Sequence, residues 1–251
     1  MPHSKKPLII NSIDDVPYAA EQFLTGKILL MQLGELYTFI INPQIDGLAE
    51  NLNILKGRTS SQYLTTVCSY TFILSYIDRE RINLDFYDVG EVLSGIALIR
   101  APVDFQKSIP FPCNNDDKSA QFLNFASCHP LLGAFQAEIE RQCCPFALAT
   151  SGNLHGAPSC VNLEEALALA NVINKKARVL SMDNVDVIVV DIPSIHREYK
   201  GSFPIVSFEN PSAIEILRFI EGSPNATYQY LIPYLKGRRT NTELMQKEEV
   251  R

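Results

Sequence analysis

Short apolar runs alternate along this chain with longer stretches whose apolar residues return every three or four positions, and that rhythm predicts strands and helices in turn. Strands are expected at residues 7–10, 27–33, 63–70, 95–102 and 144–149, and further apolar runs follow at 185–192, 203–208 and 213–220. Helical spacing covers 13–26, where Gly26 closes the segment, and 43–58, where Ile45, Leu48, Leu52 and Leu55 fall on one face. A mainly helical stretch runs from about Thr71 to Leu93, another helix begins near Pro130, and a further one covers 160–176. Residues 103–127, with the proline-punctuated polar cluster "IPFPCNNDDKS", read as a long loop or lid. Together these elements predict one α/β domain over residues 1–222, built on a single twisted, mostly parallel or mixed sheet with flanking helices. A polar C-terminal extension, 223–251, follows it.

Composition narrows the function classes. An apolar fraction of 46% over 251 residues supports a sizeable core, and a net charge of −6 weakens any general attraction for nucleic acid or anionic membrane. No apolar run approaches the roughly 18 residues that span a bilayer, and "MPHSKKPLII" lacks the long apolar core of a secretion signal. Cys68, Cys113, Cys128, Cys143, Cys144 and Cys160 show no zinc-ligand spacing; they read as reduced, mostly buried thiols, and a cytoplasmic location is expected.

Two stretches carry candidate chemistry. In "ATSGNLHGAPS", residues 149–159, an apolar strand gives way to a small polar loop before a helix, a setting that can aim backbone N–H groups and a hydroxyl at an anion. In "LKGRTSSQYL", residues 55–64, a helix delivers Lys56 and Arg58 to its C-terminal end, where cations also suit the helix dipole without any further role. His155 reads as a surface loop histidine, and His129, before Pro130, as a cap or packing residue. "TSGNL" lacks the elbow of a serine hydrolase, and the basic "KGRRTNTE" lacks the aromatics of an RNA-binding surface.

Taken together, Lys56-Gly57-Arg58 and Ser151-Gly152-Asn153, the latter with its trailing glycine and Pro-Ser, resemble the paired motifs of the YrdC family over roughly residues 20–222. "CHPLLGAF" before the second motif and "EILRFIEG" at the end agree with that resemblance. It implies a twisted α/β sheet with a concave cleft and the activity of an L-threonylcarbamoyladenylate synthase. Such an enzyme joins threonine, bicarbonate and ATP into threonylcarbamoyl-AMP for transfer to a tRNA adenosine, and the family is also described as binding double-stranded RNA. On this resemblance Lys56 and Arg58 are the expected catalytic residues and, with Ser151 and Asn153, bind the nucleotide; ATP is a substrate, and magnesium accompanies it. Tyr37 and Glu35 fall at the acid-substrate side, in "QLGELYTF".

The sequence departs from the family on that side. Leu33 and Glu35 stand where threonines are usual, Thr38 where glycine is, and Glu35 would repel a substrate carboxylate if it faced the same pocket. Phe125 falls where an arginine precedes His-Pro, Tyr63 where a proline follows Lys-x-Arg, and Phe203-Pro204 where a Ser-Thr pair is usual. Three readings follow: a threonylcarbamoyl-AMP synthase, a divergent adenylating enzyme for another acid, and a non-catalytic nucleotide- or RNA-binding regulatory module. Expected partners are ATP, a small acid and the tRNA-modification machinery, with weak RNA binding at most and no membrane.

Overall fold

The computed structural model describes residues 6–33, 36–58, 64–82, 97–113, 118–194, 203, 205–209 and 215–218. Their strands form a single mixed sheet: β1 (Leu8–Ile9), β2 (Ile28–Leu33), β3 (Leu36–Ile41), β4 (Thr65–Cys68), β5 (Leu98–Pro102), β6 (Ser119–Asn124), β7 (Phe146–Ser151), β8 (Val187–Asp191), β9 (Ile205–Ser207) and β10 (Glu215–Arg218). The order across the sheet is β1-β8-β2-β3-β7-β4-β6-β5-β9-β10. β1, β8 and β2 run parallel, as do β4 with β6 and β5 with β9, while β3 and β7 are antiparallel to both of their neighbours.

Every residue of β2 and β3 is buried, as continuous apolar runs require when both faces of a sheet are covered. On one face lie α2 (Leu48–Lys56), α3 (Tyr70–Tyr76) and α6 (Leu163–Val179), packed on a cluster that includes Phe39, Ile41, Phe122 and Leu148. On the other lie α1 (Val16–Leu24) and α5 (Pro130–Arg141), packed on Leu29, Met31, Ile40 and Ala147. The start and stop signals act as the sequence suggests. Pro17 opens α1 and Gly26 follows it at φ +91°, while His129 caps α5 by accepting from the Leu131 N–H through Nδ1 at 3.2 Å.

Two parts of the sequence reading are corrected. Residues 103–127 are not one loop, because they contain β6 and the short helix α4 (Phe125–Cys128). β6 escaped notice because its inward polar residues are hydrogen-bonded rather than absent. Gln121 Nε2 donates to Thr65 Oγ1 at 2.6 Å, Arg100 Nε donates to Gln121 Oε1 at 3.1 Å, and Ser119 donates to Glu209. β3, for which the hydrophobic pattern makes no separate assignment, completes a hairpin with β2. The stretch from Thr71 to Leu93, expected to be mainly helical, is corrected too: α3 ends at Tyr76 and Ile77 pairs with Val103 in an isolated β-bridge, while residues 83–93 and the extension 223–251 lie outside the described residues.

The topology fixes one functional edge. β1, β2, β5, β7, β8 and β9 all end there, while β3, β4, β6 and β10 begin there. Ligands of open α/β sheets gather beyond carboxyl ends of this kind.

Beneath the second face Phe135 is fully buried, edge-on to Phe23 at 5.7 Å and to Phe125 at 5.9 Å. Phe135→Ala is expected to cost roughly 3–5 kcal/mol, since the cavity cannot collapse between two rings already in contact with the sheet. Urea unfolding of the variant checks this through the shift of its midpoint.

Candidate functional site

α2 ends at the functional edge, and its cap sets the site. Gly57 takes a left-handed conformation, φ +75°, and the Arg58 N–H turns back to the Asn53 carbonyl at 2.9 Å, so the chain reverses instead of carrying the arginine into solvent. The His155 N–H then donates to the Lys56 carbonyl at 2.8 Å, tying this helix end to the loop after β7. Lys56 and Arg58 are thereby pressed against the end of β7.

Their hydrogen bonds are specific. Lys56 Nζ donates to Thr150 Oγ1 at 3.1 Å and to the Ser151 carbonyl, and lies 5.0 Å from the centre of the Phe39 ring. Arg58 donates through Nη1 to Thr150 Oγ1, and through Nη2 to Ser151 Oγ at 2.6 Å and Asn153 Oδ1 at 3.2 Å. Ser151 Oγ donates to Asn153 Oδ1 at 2.6 Å, and Asn153 Nδ2 donates to the Ala157 carbonyl at 2.6 Å, which closes the loop on itself. The four residues singled out from the sequence, Lys56, Arg58, Ser151 and Asn153, are therefore brought into one constellation.

The electrostatics of that constellation are unbalanced. Lys56 is 1% exposed, and among the described residues no carboxylate lies within ion-pair distance of it or of Arg58. Burial, with the Arg58 charge adding to it, pushes the Lys56 ammonium down from 10.5 to about 6, and burial also lowers Arg58. Arg58 Nε is buried with no acceptor; the other three such atoms among the described residues are neutral side-chain oxygens. A charged donor left without an acceptor beside a second amine is the feature that an anion completes.

Thr150 and Asp191 belong to this region and were missed from the sequence. Thr150 is the shared acceptor of both cations, indistinguishable in the sequence from any other strand threonine. Asp191, at the end of β8, accepts the hydroxyl of the fully buried Tyr37 at 2.5 Å. Tyr37 in turn touches the loop through its backbone, its carbonyl accepting from the Gly152 N–H at 2.9 Å. A Cβ on Gly152 would sit 2.3 Å from that carbonyl oxygen, so the approach of β3 to the Ser-Gly-Asn turn requires glycine.

Other expectations are revised. The helix after the Ser-Gly-Asn turn spends its first N–H groups locally: α6 begins only at Leu163, where Asn162 caps the Glu165 N–H and Glu165 takes the Val161 N–H. Phe125 is fully buried against Phe135 in the layer under α1 and α5, away from Lys56 and Phe39, and so does not occupy an arginine's place in the site. Leu33 is buried in the same layer, and Phe203 packs against it. His155 is exposed. Glu35, Tyr63 and Pro204 lie outside the described residues. No helix of the described residues is long and apolar enough to cross a membrane.

The fold, compared with solved structures, matches several chains at low sequence identity. P. abyssi Sua5, also solved with L-threonine, aligns over 85% of this chain at 14% identity with a TM-score of 0.60; the match spans only 57% of the Sua5 chain. HypF in a phosphate- and nucleotide-bound form aligns over 82% of this chain and 29% of its own, at 16% identity and a TM-score of 0.60. E. coli YciO aligns over 86% of this chain and 94% of its own, at 12% identity and a TM-score of 0.59. No protein-family model and no curated protein sequence matches. The fold is YrdC-like.

The buried amine has a stability signature whose sign follows from its direction. The unfolded chain holds the Lys56 proton up to about pH 10.5, whereas the folded chain releases it near 6. The burial penalty is thus complete below about pH 6, shrinks as pH rises through the window, and is gone above 10.5. Lys56→Met is expected to stabilise the protein at neutral pH, by roughly 1–4 kcal/mol, and to flatten this rise of stability with pH. Thermal unfolding of both proteins at several pH values checks it. Gly152→Ala, by contrast, is expected to lower the melting temperature by separating β3 from the loop.

Proposed function

We propose that this chain binds a nucleotide through Lys56, Arg58, Ser151 and Asn153, and uses ATP to adenylate a small acid. The observation that carries this reading is the buried Lys56 beside the half-buried Arg58 at the end of β7, with Arg58 Nε unpartnered and no carboxylate among the described residues within ion-pair distance of either. The substrate is N-carboxythreonine, the carbamate formed from threonine and bicarbonate with loss of water, and the product is threonylcarbamoyl-AMP. The YrdC-like fold, shared with a Sua5 that binds L-threonine and a HypF that binds phosphate and nucleotide, supports that assignment.

In this chemistry a carbamate oxygen attacks the α-phosphorus of ATP, the α–β anhydride bond breaks, and pyrophosphate leaves with the electron pair. Charge grows on the phosphoryl oxygens and on the leaving group. Arg58 offers a planar fork and a free Nε–H there, Lys56 a compact donor, and both are held in place before the ligand arrives. Ser151 and Asn153 hold the Arg58 fork in its orientation. Magnesium would arrive with the triphosphate, held through its phosphate oxygens. The product would pass to a tRNA adenosine.

Leu33, the last residue of β2 at the functional edge, stands where the resemblance places a threonine and favours a second reading, an adenylating enzyme for a different acid. A leucine there supplies no hydroxyl to a threonine-like substrate, and each polar group left unpaired on burial costs about 1–3 kcal/mol. Free threonine is accordingly expected to bind at millimolar affinity or weaker. Pyrophosphate release from ATP and bicarbonate, screened across the amino acids, separates the two readings. Release with threonine alone supports the first, and release with another acid supports the second. For either reading Arg58→Ala is expected to weaken ATP by roughly 1.5–3 kcal/mol, measured by calorimetric titration. Unchanged affinity in that variant would remove the site assignment.

A further inference from the structure

Arg58 is the permanent cation of the site, since a guanidinium keeps its proton under all ordinary conditions. Lys56 is not. Its Nζ is sealed between the Phe39 ring, the Thr150 hydroxyl and the Ser151 carbonyl, and two neutral acceptors and a ring face are far less than the hydration an ammonium loses. Of the charged groups around it, Arg58 adds to the penalty, and none among the described residues is in ion-pair contact to offset it. The turn after α2 contributes Arg58, α6 contributes Lys176, whose Nζ reaches the Leu55 carbonyl at 3.4 Å, and the loop after β7 contributes His155. β3 contributes Phe39 and then Tyr37, whose hydroxyl is committed to Asp191, and β7 contributes only hydroxyls and carbonyls. No acid on these elements is in ion-pair contact with the amine among the described residues.

We propose that Lys56 is a conditional cation: it is a neutral amine in the empty protein and takes up one proton when a doubly charged phosphoryl group seats on Arg58, so the site holds phosphoryl dianions and turns away carboxylates. This rests on the nucleotide-site reading above and adds to it a rule for which anion is retained. A monoanionic carboxylate on Arg58 only balances the arginine and leaves nothing to stabilise an ammonium beside it. A phosphoryl dianion leaves one negative charge over, within hydrogen-bond reach of the orphaned Arg58 Nε and next to the amine. The proton comes from solvent, joins the Nζ lone pair, and returns to solvent when the anion departs. The direction in which burial moves the Lys56 ammonium agrees with an empty site that is uncharged at this position near neutral pH.

The test is calorimetric titration of the whole protein with ATP near pH 8, where its terminal phosphate is already deprotonated, in buffers of small and large ionisation enthalpy. Sulfate, a dianion without a proton to give or take in this range, and acetate, a monoanion, are titrated alongside. The expected result is a heat that depends on the buffer and corresponds to nearly one proton taken up per ATP or sulfate bound. ATP affinity should also fall by as much as about tenfold per pH unit above neutrality. Acetate should show neither uptake nor comparable binding. Lys56→Arg should bind ATP with buffer-independent heat, because its charge is permanent. Binding of ATP with buffer-independent heat in the wild type, or acetate held as firmly as sulfate, would overturn the conditional cation while leaving the nucleotide site standing. Absence of binding by ATP and sulfate in every buffer would overturn the nucleotide site itself, and the conditional cation with it.

Discussion

The seating of a buried lysine and a half-buried arginine against the end of one strand, with no acid in ion-pair contact with either among the described residues, is the constraint around which the rest of this molecule is arranged. Holding Lys56 and Arg58 there is unfavourable in the empty protein, so the surrounding elements must be stable enough to impose it. They are: β2 and β3 are buried along their whole length, helices cover both faces, and α2 is sealed to the β7 loop through the His155 N–H and Lys56 carbonyl. Stability lost at the functional edge is offset by the ordinary apolar packing of the two clusters away from it.

The same constraint explains local details that otherwise look unrelated. Gly57 must be left-handed for Arg58 to double back, and Gly152 must lack a side chain for β3 to approach the Ser-Gly-Asn turn. Thr150 faces the α2 side of β7, beside Phe39 in register, and is therefore placed to receive both cations, while Asn153 secures the loop by reaching the Ala157 carbonyl. These contacts fix both side chains before any ligand arrives, and preorganisation of that kind makes a weakly solvated donor effective toward developing charge.

Much of this was legible in the sequence, and the gaps have physical causes. Apolar runs revealed β2, β7, β8 and helices α1, α2, α5 and α6, because each buries a stripe or both faces. β6 was hidden because Gln121 and Ser119 look like loop residues until Thr65, Arg100 and Glu209 supply their partners from other strands. The two motifs singled out Lys56, Arg58, Ser151 and Asn153, which the fold brings together, but not Thr150 or Asp191, which join them only through contacts made by distant segments. The assignment of Phe125 to a substrate position failed because the residue turns under α5, a matter of side-chain direction that a linear match to a motif does not encode. Likewise, the loop before α6 is long enough for Asn162 and Glu165 to consume the helix N-terminus locally.

The most direct test of the central claim is to locate an anion by its own scattering. Crystals soaked in selenate, a tetrahedral dianion, would be examined in an anomalous difference map. A peak is expected beside β7, within hydrogen-bond reach of both Arg58 Nε and Lys56 Nζ, with Ser151 and Asn153 still bound to the arginine fork. A map without density there, or one in which a protein carboxylate fills that position, would contradict the existence of an anion site at the end of β7.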